Sequence, residues 1–352
     1  MIYIDGRIGE GGGQVLRTSL SLASALGVPI TIQNIRHNRK PKTGLRPQHL
    51  TCVNACAFIC QASVEGNYVN SESLVFKPGT PHSGEFSFDI GTAGSCLLVL
   101  QTLIPPLLTC RGKSTVRVKG GTAVPHSPSF LYFSEVFLPM ISRMGGHCTV
   151  ECIRHGFFPK GGGEVLLEIH GLNSPHPLSP IHLAERGKLL RCSVLSAISD
   201  GIPEHVRRRQ LETLHSFSLN HLQLPNGKID TRSENWSTCS QGTLCFLRLD
   251  FENIIVGSFA LGRRGKPAEE VAQEAIDQLE HYHHSDNGGV VDVHLADQLI
   301  TLLAFTKGTS YFSTSELSLH CLTNAQVVNH FYPDCVVVSG EEGKSGHVRI
   351  EI

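Results

Sequence analysis

Asp5-Gly-Arg-Ile-Gly-Glu10-Gly-Gly-Gly-Gln-Val-Leu-Arg17 follows a short apolar run at residues 2–4 and leads into an apolar-periodic segment, 15–26, that stops at Gly27. The pattern predicts strand, glycine-rich turn, helix. Glycines let a backbone approach a ligand closely, and a helix start offers unpaired N–H groups with a positive dipole end, so the unit suits an anion such as phosphate. Glu10 stands in the turn as a candidate metal ligand. Arg17 falls one helical turn in, where its planar fork suits a phosphate. Neither common nucleotide fingerprint is present, because no Gly-Lys-Ser/Thr follows and the glycine spacing is not G-x-G-x-x-G.

Outward from this stretch, one order of elements recurs. Strand 2–5, helix 15–26, strand 29–35 and helix 48–60 are followed by strand-like runs near Ser63 and at 73–77. A second block begins with strand 86–90 and the turn Gly91-Thr-Ala-Gly94. It continues with a helix from Ser95 to Ile104 ahead of Pro105 and Pro106, strand 114–119, helix 129–144, and strands 148–153 and 164–169. Part of a third block is predicted near the C-terminus: helix 295–305, strand 316–319, helix 324–331, and strands 335–338 and 347–352. Residues 185–284 break the pattern with strands 189–197, 244–249 and 254–259 and helices 204–221 and 267–281. The expected fold is therefore α/β (α+β), with a large repeat domain over 1–184 and 285–352 and a smaller α/β domain, 185–284, inserted in the third repeat. Turn-rich linkers at 183–187 and 284–289 fit those boundaries.

Composition bounds the function. Thirty Lys plus Arg against 31 Asp plus Glu leave no global basic field, so any nucleic-acid contact is local. No apolar run reaches the ~18–20 residues that span a bilayer. The first residues carry no secretion signal, and twelve cysteines without one fit free thiols in a reducing compartment, so the cytoplasm is expected.

Three further stretches carry chemistry. Residues 34–49 place Arg36, Arg39, Lys40, Lys42 and Arg46 in a Pro- and Gly-containing loop ahead of a helix that begins near Gln48. By itself such a loop is simply solvated; beside Glu10 and Arg17 it suits a polyphosphate or a nucleic-acid end. Ser318-Leu-His320-Cys-Leu-Thr-Asn324 puts a histidine at a strand-to-helix junction, and a neutral imidazole is a competent nucleophile at phosphorus. His294-Leu295-Ala296-Asp297-Gln298 opens a helix, where Asp297 and Gln298 are either caps or ligands that bind a ribose or orient His320. Cys52, Cys56 and Cys60 on one helical face suit buried packing better than a metal cage. His281, His283 and His284 read as a polar helix end, Arg207-Arg-Arg209 as a solvated face, and Gly161-Gly-Gly163 as a tight turn, possible at the rim of a site.

Taken in order, G-E-G-G-G-Q-V-L-R, R-x-x-R with G-L-R-P-Q-H-L, G-T-A-G-S-C with Gln101, R-H-G-F-F-P-K-G-G-G-E, A-D-Q-L and L-H-C-L-T-N resemble the RNA 3'-terminal phosphate cyclase family, over about 2–184 and 290–340. The inserted region matches only at 185–187 and 261–265. The resemblance implies three βαβαββ units with an inserted α/β domain. It also implies ATP-dependent conversion of an RNA 3'-phosphate to a 2',3'-cyclic phosphate through AMP on the histidine matching His320. Residue by residue it implies Glu10 for Mg2+ or Mn2+, Arg17, Arg36 and Arg39 for phosphates, Gln48 and Gln298 for polar contacts, and Asp297 for orientation or ribose. Gln101 and the run from His294 through Leu295, Ala296 and Asp297 to Gln298 match the nucleotide pocket. Where the family usually has a tyrosine stacking on adenine this chain has His294, a smaller ring, and Pro128 and Tyr132 are candidates for the opposite wall. The alternative is a non-catalytic RNA-binding ribosome-assembly factor of the same fold. Against it stand His320, Arg17, Arg36 and Arg39, all present. An enolpyruvyl transferase shares only the type of repeat, and a structural metal protein needs the cysteine or histidine clusters to bind metal.

Overall fold

The computed structural model describes residues 1–222, 224, 227–283 and 289–352. Its described strands form four four-stranded sheets, and three of them share one order of strands along the chain, with the third and fourth exchanged in space. In the first, Ile2–Asp5 runs parallel to Ile30–Gln33, which pairs antiparallel with Leu74–Lys77, itself antiparallel to Ser63–Glu65. The second runs Glu85–Asp89, Arg111–Gly120, Gly163–Leu172, His147–Arg154 in the same senses. The third runs His182–Leu183, Thr309–Thr314, Gly346–Glu351, Val336–Gly340. A parallel pair cannot close through a hairpin, so each requires a crossover. In the first two sheets the crossover is a single helix, Gly13–Leu26 or Cys96–Thr109. In the third, the chain makes the whole fourth sheet and the Val293–Leu303 helix between its parallel strands. That fourth sheet, ordered Ile229–Trp236, Leu189–Ser199, Thr243–Phe251, Ile255–Leu261, carries the helices Glu204–His221 and Ala268–His283.

The Gly13–Leu26 helix lies at the centre, packed against the helices Pro47–Cys60, Cys96–Thr109 and Leu319–Phe331. Every residue from Leu20 to Ser24 is buried, which a helix contacted on several sides requires, and its serines and alanine keep that face thin. Cys52, Cys56 and Cys60 are fully buried in the same core, where burial raises their thiol pKa values.

Several elements depart from the sequence expectation. The Cys96–Thr109 helix continues through Pro105 and Pro106, although a proline lacks the N–H that an interior position donates. Ile104, Leu107 and Leu108 are fully buried, and that apolar burial outweighs the two lost bonds. The expected strand at 316–319 is absent, leaving one isolated bridge at Leu317; the strand is Thr309–Thr314, and a helix begins at Leu319. Strands His182–Leu183 and Ile229–Trp236 were not expected, one for its brevity and the other for its polar composition, Ile-Asp-Thr-Arg-Ser-Glu-Asn-Trp. The helix expected at 129–144 contains a π-turn at Phe133–Phe137. Most of the expected linker at 284–289 lies outside the described residues.

Two glycines with positive φ separate conformation from packing. Gly9 (φ 54°) would bring an added Cβ to 2.0 Å from Thr323 Oγ1, whereas at Gly27 (φ 68°) nothing lies within 4 Å. Thr323 cannot swing away freely, since its hydroxyl accepts from Glu10 N and donates to the Leu319 carbonyl. Thermal denaturation is expected to show Gly27→Ala losing only the left-handed strain of about 1–2 kcal/mol, and Gly9→Ala losing roughly 1–3 kcal/mol more from overpacking. Equal losses would contradict the packing role.

Candidate active site

A cavity of about 1280 Å³ opens over one end of the helical core. The first turns of the Gly13–Leu26, Pro47–Cys60 and Leu319–Phe331 helices reach it, so positive helix ends face the space. The Cys96–Thr109 and Val293–Leu303 helices, the 36–42 loop, the 124–128 segment and residues 259–263, at the end of the fourth sheet's Ile255–Leu261 strand, add to the wall.

Glu10 is the hub. Its side chain is only 7% exposed, and a buried carboxylate needs cationic or hydrogen-bonding partners. Arg39 supplies one, its Nη2 donating to Oε2, while His320 Nδ1 stands 3.4 Å from Oε1 without a hydrogen bond. Gln14 N donates weakly to Oε1 at 3.4 Å. The turn itself is tied down by Glu10 N donating to Thr323 Oγ1 at 3.1 Å. Gly13 lines the cavity, as ligand approach requires, while Gly9 and Gly11 serve close packing on Thr323 and Asn38.

His320 stands in the first turn of the Leu319–Phe331 helix, capped by Ser318, rather than at a strand end. Its Nδ1 is buried without a hydrogen bond, yet the side chain as a whole is 46% exposed, so the exposure belongs to the opposite, Nε2 edge of the ring. Burial holds the imidazole below its ordinary pKa; Glu10 opposes this, and Arg17, Arg39 and His294 reinforce it.

The expected arginines differ in what they touch. Arg17 Nη2 donates to Gln14 Oε1 at 2.5 Å, with no carboxylate partner among the described residues. Arg36, itself left-handed at φ 56°, donates to the Lys42 and Gly44 carbonyls at 2.7 and 3.0 Å and so braces its own loop. Both line the cavity, as do Lys40 and Lys42. Gln48 Oε1 accepts from Ser95 N at 2.7 Å, joining the first and second units.

At the other end, Gln101 Nε2 donates to Gln298 Oε1 at 2.9 Å. His294, Asp297 and Gln298 line the cavity. Leu295 and Ala296 do not: their side chains are fully buried in the core, since a helix turns consecutive positions to different faces. Asp297 accepts from Ser318 Oγ, and burial pushes its carboxyl well above the usual range. Pro128 and Tyr132 are on the wall. Tyr132 is fully buried and lies edge-on to His294 at 6.1 Å, with its hydroxyl donating to Asp292 Oδ1 at 2.7 Å. It therefore supports the His294 ring more than it offers an open stacking face.

Other contributors were not singled out from sequence. His49 lines the cavity, buried, with its pKa driven well down by that burial. Phe259, Arg263 and Lys266 come from the fourth sheet's side, and nothing local in their sequence places them there. Arg263 has no ion-pair partner among the described residues, whereas the Arg207-Arg-Arg209 run is neutralised by Glu204, Glu212 and Glu269. Gly161-Gly-Gly163 forms a turn away from the cavity lining. His281 pairs with Glu316 at 2.9 Å; the side chain of His283 and all of His284 lie outside the described residues.

Among the described residues no group of three or more His, Cys, Asp and Glu is arranged to hold a metal. Glu10 brings a single carboxylate to the cavity, the oxygen type that Mg2+ and Mn2+ favour. None of the described helices is long and apolar enough to cross a membrane.

The chain is 38% identical over 360 residues to an RNA 3'-terminal phosphate cyclase of Methylococcus capsulatus, covering 99% of this chain and 96% of that one. Alignment with the enolpyruvyl transferase NikO from Streptomyces tendae covers 99% of this chain and 81% of that chain, at 11% identity and a TM-score of 0.27, too low to bear on the fold. Residues 8–337 match the family model described as RNA 3'-terminal phosphate cyclase, and the chain belongs to that family.

Proposed function

We propose that this protein converts an RNA 3'-phosphate end to a 2',3'-cyclic phosphate at the expense of ATP, through AMP carried covalently on His320. The observation that carries this is the His320 ring: Nδ1 buried against Glu10 at 3.4 Å, the other edge exposed, and the pKa held low. Glu10 favours the tautomer with its proton on Nδ1, leaving the Nε2 lone pair for the cavity.

Three displacements at phosphorus follow. The Nε2 lone pair attacks the α-phosphorus of ATP, the bond to the bridging oxygen breaks, and pyrophosphate leaves. An oxygen of the RNA 3'-phosphate then attacks the same phosphorus, the N–P bond breaks, and the imidazole is regenerated. Finally the neighbouring 2'-hydroxyl attacks the terminal RNA phosphorus, AMP departs, and the hydroxyl proton passes to solvent. Because little covalent chemistry is left to the protein, positioning and charge neutralisation dominate.

The roles follow from placement. Arg17 and Arg39 neutralise the reacting phosphates beside His320, and Arg36 holds the loop that presents Lys40 and Lys42 to the RNA end. Gln101, Gln298, His294 and Pro128 frame the nucleoside, with Asp297 facing the ribose and Gln48 holding the second unit in place. Glu10 would hold Mg2+ or Mn2+, which would supply charge neutralisation at the nucleotide phosphates. Residues 185–284 form an inserted unit whose 259–266 edge closes the cavity. Twelve free thiols support a cytoplasmic setting.

The direct test uses a 3'-phosphorylated oligonucleotide with ATP and Mg2+ or Mn2+, scored for conversion to a phosphatase-resistant end. Wild type is expected to convert it, and His320→Ala to show no conversion with its melting temperature preserved. Conversion by the variant would overturn the nucleophile assignment.

The pH dependence follows from the lowered imidazole pKa. The ring is neutral at alkaline pH and stays so below the ordinary midpoint of 6.5. The rate of AMP attachment is expected to be flat through neutrality and to fall only as pH drops through the lowered pKa. A half-maximal rate above 7 would contradict it.

A further inference from the structure

Asn324 is fully buried and bonds to groups on two other helices. Its Nδ2 donates to the main-chain carbonyl of Asp297 at 2.7 Å. A carbonyl can only accept, so this bond decides which end of the amide is nitrogen. Oδ1 therefore faces the Gly13–Leu26 helix, where it accepts from Thr18 Oγ1 at 2.7 Å and from Gln14 Nε2 at 3.0 Å. The Gln14 amide donates to Thr18 Oγ1 as well, at 3.2 Å. With Nε2 so committed, Gln14 Oε1 is turned to Arg17 and accepts from Nη2 at 2.5 Å.

The chain of bonds runs in one direction, from a backbone carbonyl of the Val293–Leu303 helix to the guanidinium at the cavity wall. Each donor and acceptor along it has a fixed identity, and reversing one amide would set like atoms against each other throughout. The final partner is neutral. A carboxylate at position 14 would also orient Arg17, but it would neutralise the charge that a phosphate needs.

We propose that Asn324, acting through Gln14 and Thr18, is a positioning residue for Arg17. It aims the guanidinium at substrate phosphate while leaving its charge unspent, and it ties that aim to the helix carrying Asp297 and Gln298. The proposal rests on the reading of Arg17 as a phosphate ligand.

The test is a double-mutant cycle on single-turnover transfer of AMP from the protein to a 3'-phosphorylated oligonucleotide, using Asn324→Ala, Gln14→Ala and Arg17→Ala singly and in pairs. Asn324→Ala and Gln14→Ala are each expected to slow transfer about 10- to 100-fold, as loss of an orienting partner does. Combined with Arg17→Ala, neither is expected to slow it further than about threefold, because residues acting as a unit are not additive. Full transfer rates in both single variants, or losses that multiply with Arg17→Ala, would overturn the relay. If Asn324→Ala gives no cooperative melt, the Gln14 cycle alone decides, since Gln14 is only part-buried. A wild type that forms no AMP adduct would instead overturn the underlying reading, whereas an adduct-forming wild type with additive losses fails the relay alone.

Discussion

A carboxylate at 7% exposure cannot stand alone, and the burial of Glu10 sets terms for the rest of the molecule. Arg39, from its own unit, ion-pairs with it, and His320 of the third sheet's unit brings Nδ1 to 3.4 Å from Oε1. Thr323 strengthens the same junction by accepting from Glu10 N. The cluster that the proposed chemistry uses thus sits where the helices of two units pack on one another.

A second constraint is the crowding of the central helix. Gly13–Leu26 touches three other helices, so its polar side chains near the cavity have almost no freedom. Thr18, 2% exposed, is held by Asn324, and Arg17 is held by Gln14. On the nucleotide side the same logic recurs with Tyr132 and Asp292, where a buried hydroxyl bonds the carboxylate that caps the Val293–Leu303 helix through His294 N and Leu295 N. Both walls of the cavity thus rest on buried polar pairs, which fix geometry more sharply than apolar contact alone. The fourth sheet adds its edge through Phe259, tilted against Tyr132 at 6.2 Å, and through the ion pairs of Arg232 and Arg248 with Glu135.

The turn at Glu10 and the order of elements in the first two units were legible because glycine spacing and apolar period are local signals, and Arg17, Arg39 and His320 stood out by their places in a turn, a cationic loop and a helix start, whereas His294 and Asp297 were tied to a nucleotide pocket only by the family resemblance. The element under His320 was misplaced: Ser318 is a helix cap, and a cap before a helix reads much like a strand end when the preceding strand is short of apolar alternation. The helix through Pro105 and Pro106 depends on burial that no local rule reports. Leu295 and Ala296 were included with their neighbours because a motif is contiguous in sequence, while a helix face is not. Arg263 and Asn324 were silent for a related reason, since neither has a local signal: Arg263 is placed by the cavity it lines, and Asn324 by its bonds to Gln14, Thr18 and Asp297 on other helices.

The most direct test of the central claim is peptide mapping by mass spectrometry of the protein after incubation with ATP and divalent metal. The adduct is expected as a single AMP on the peptide carrying His320, attached at the imidazole and released by acid but not by alkali. AMP on another residue, or folded and metal-supplied protein that carries none, would contradict the account.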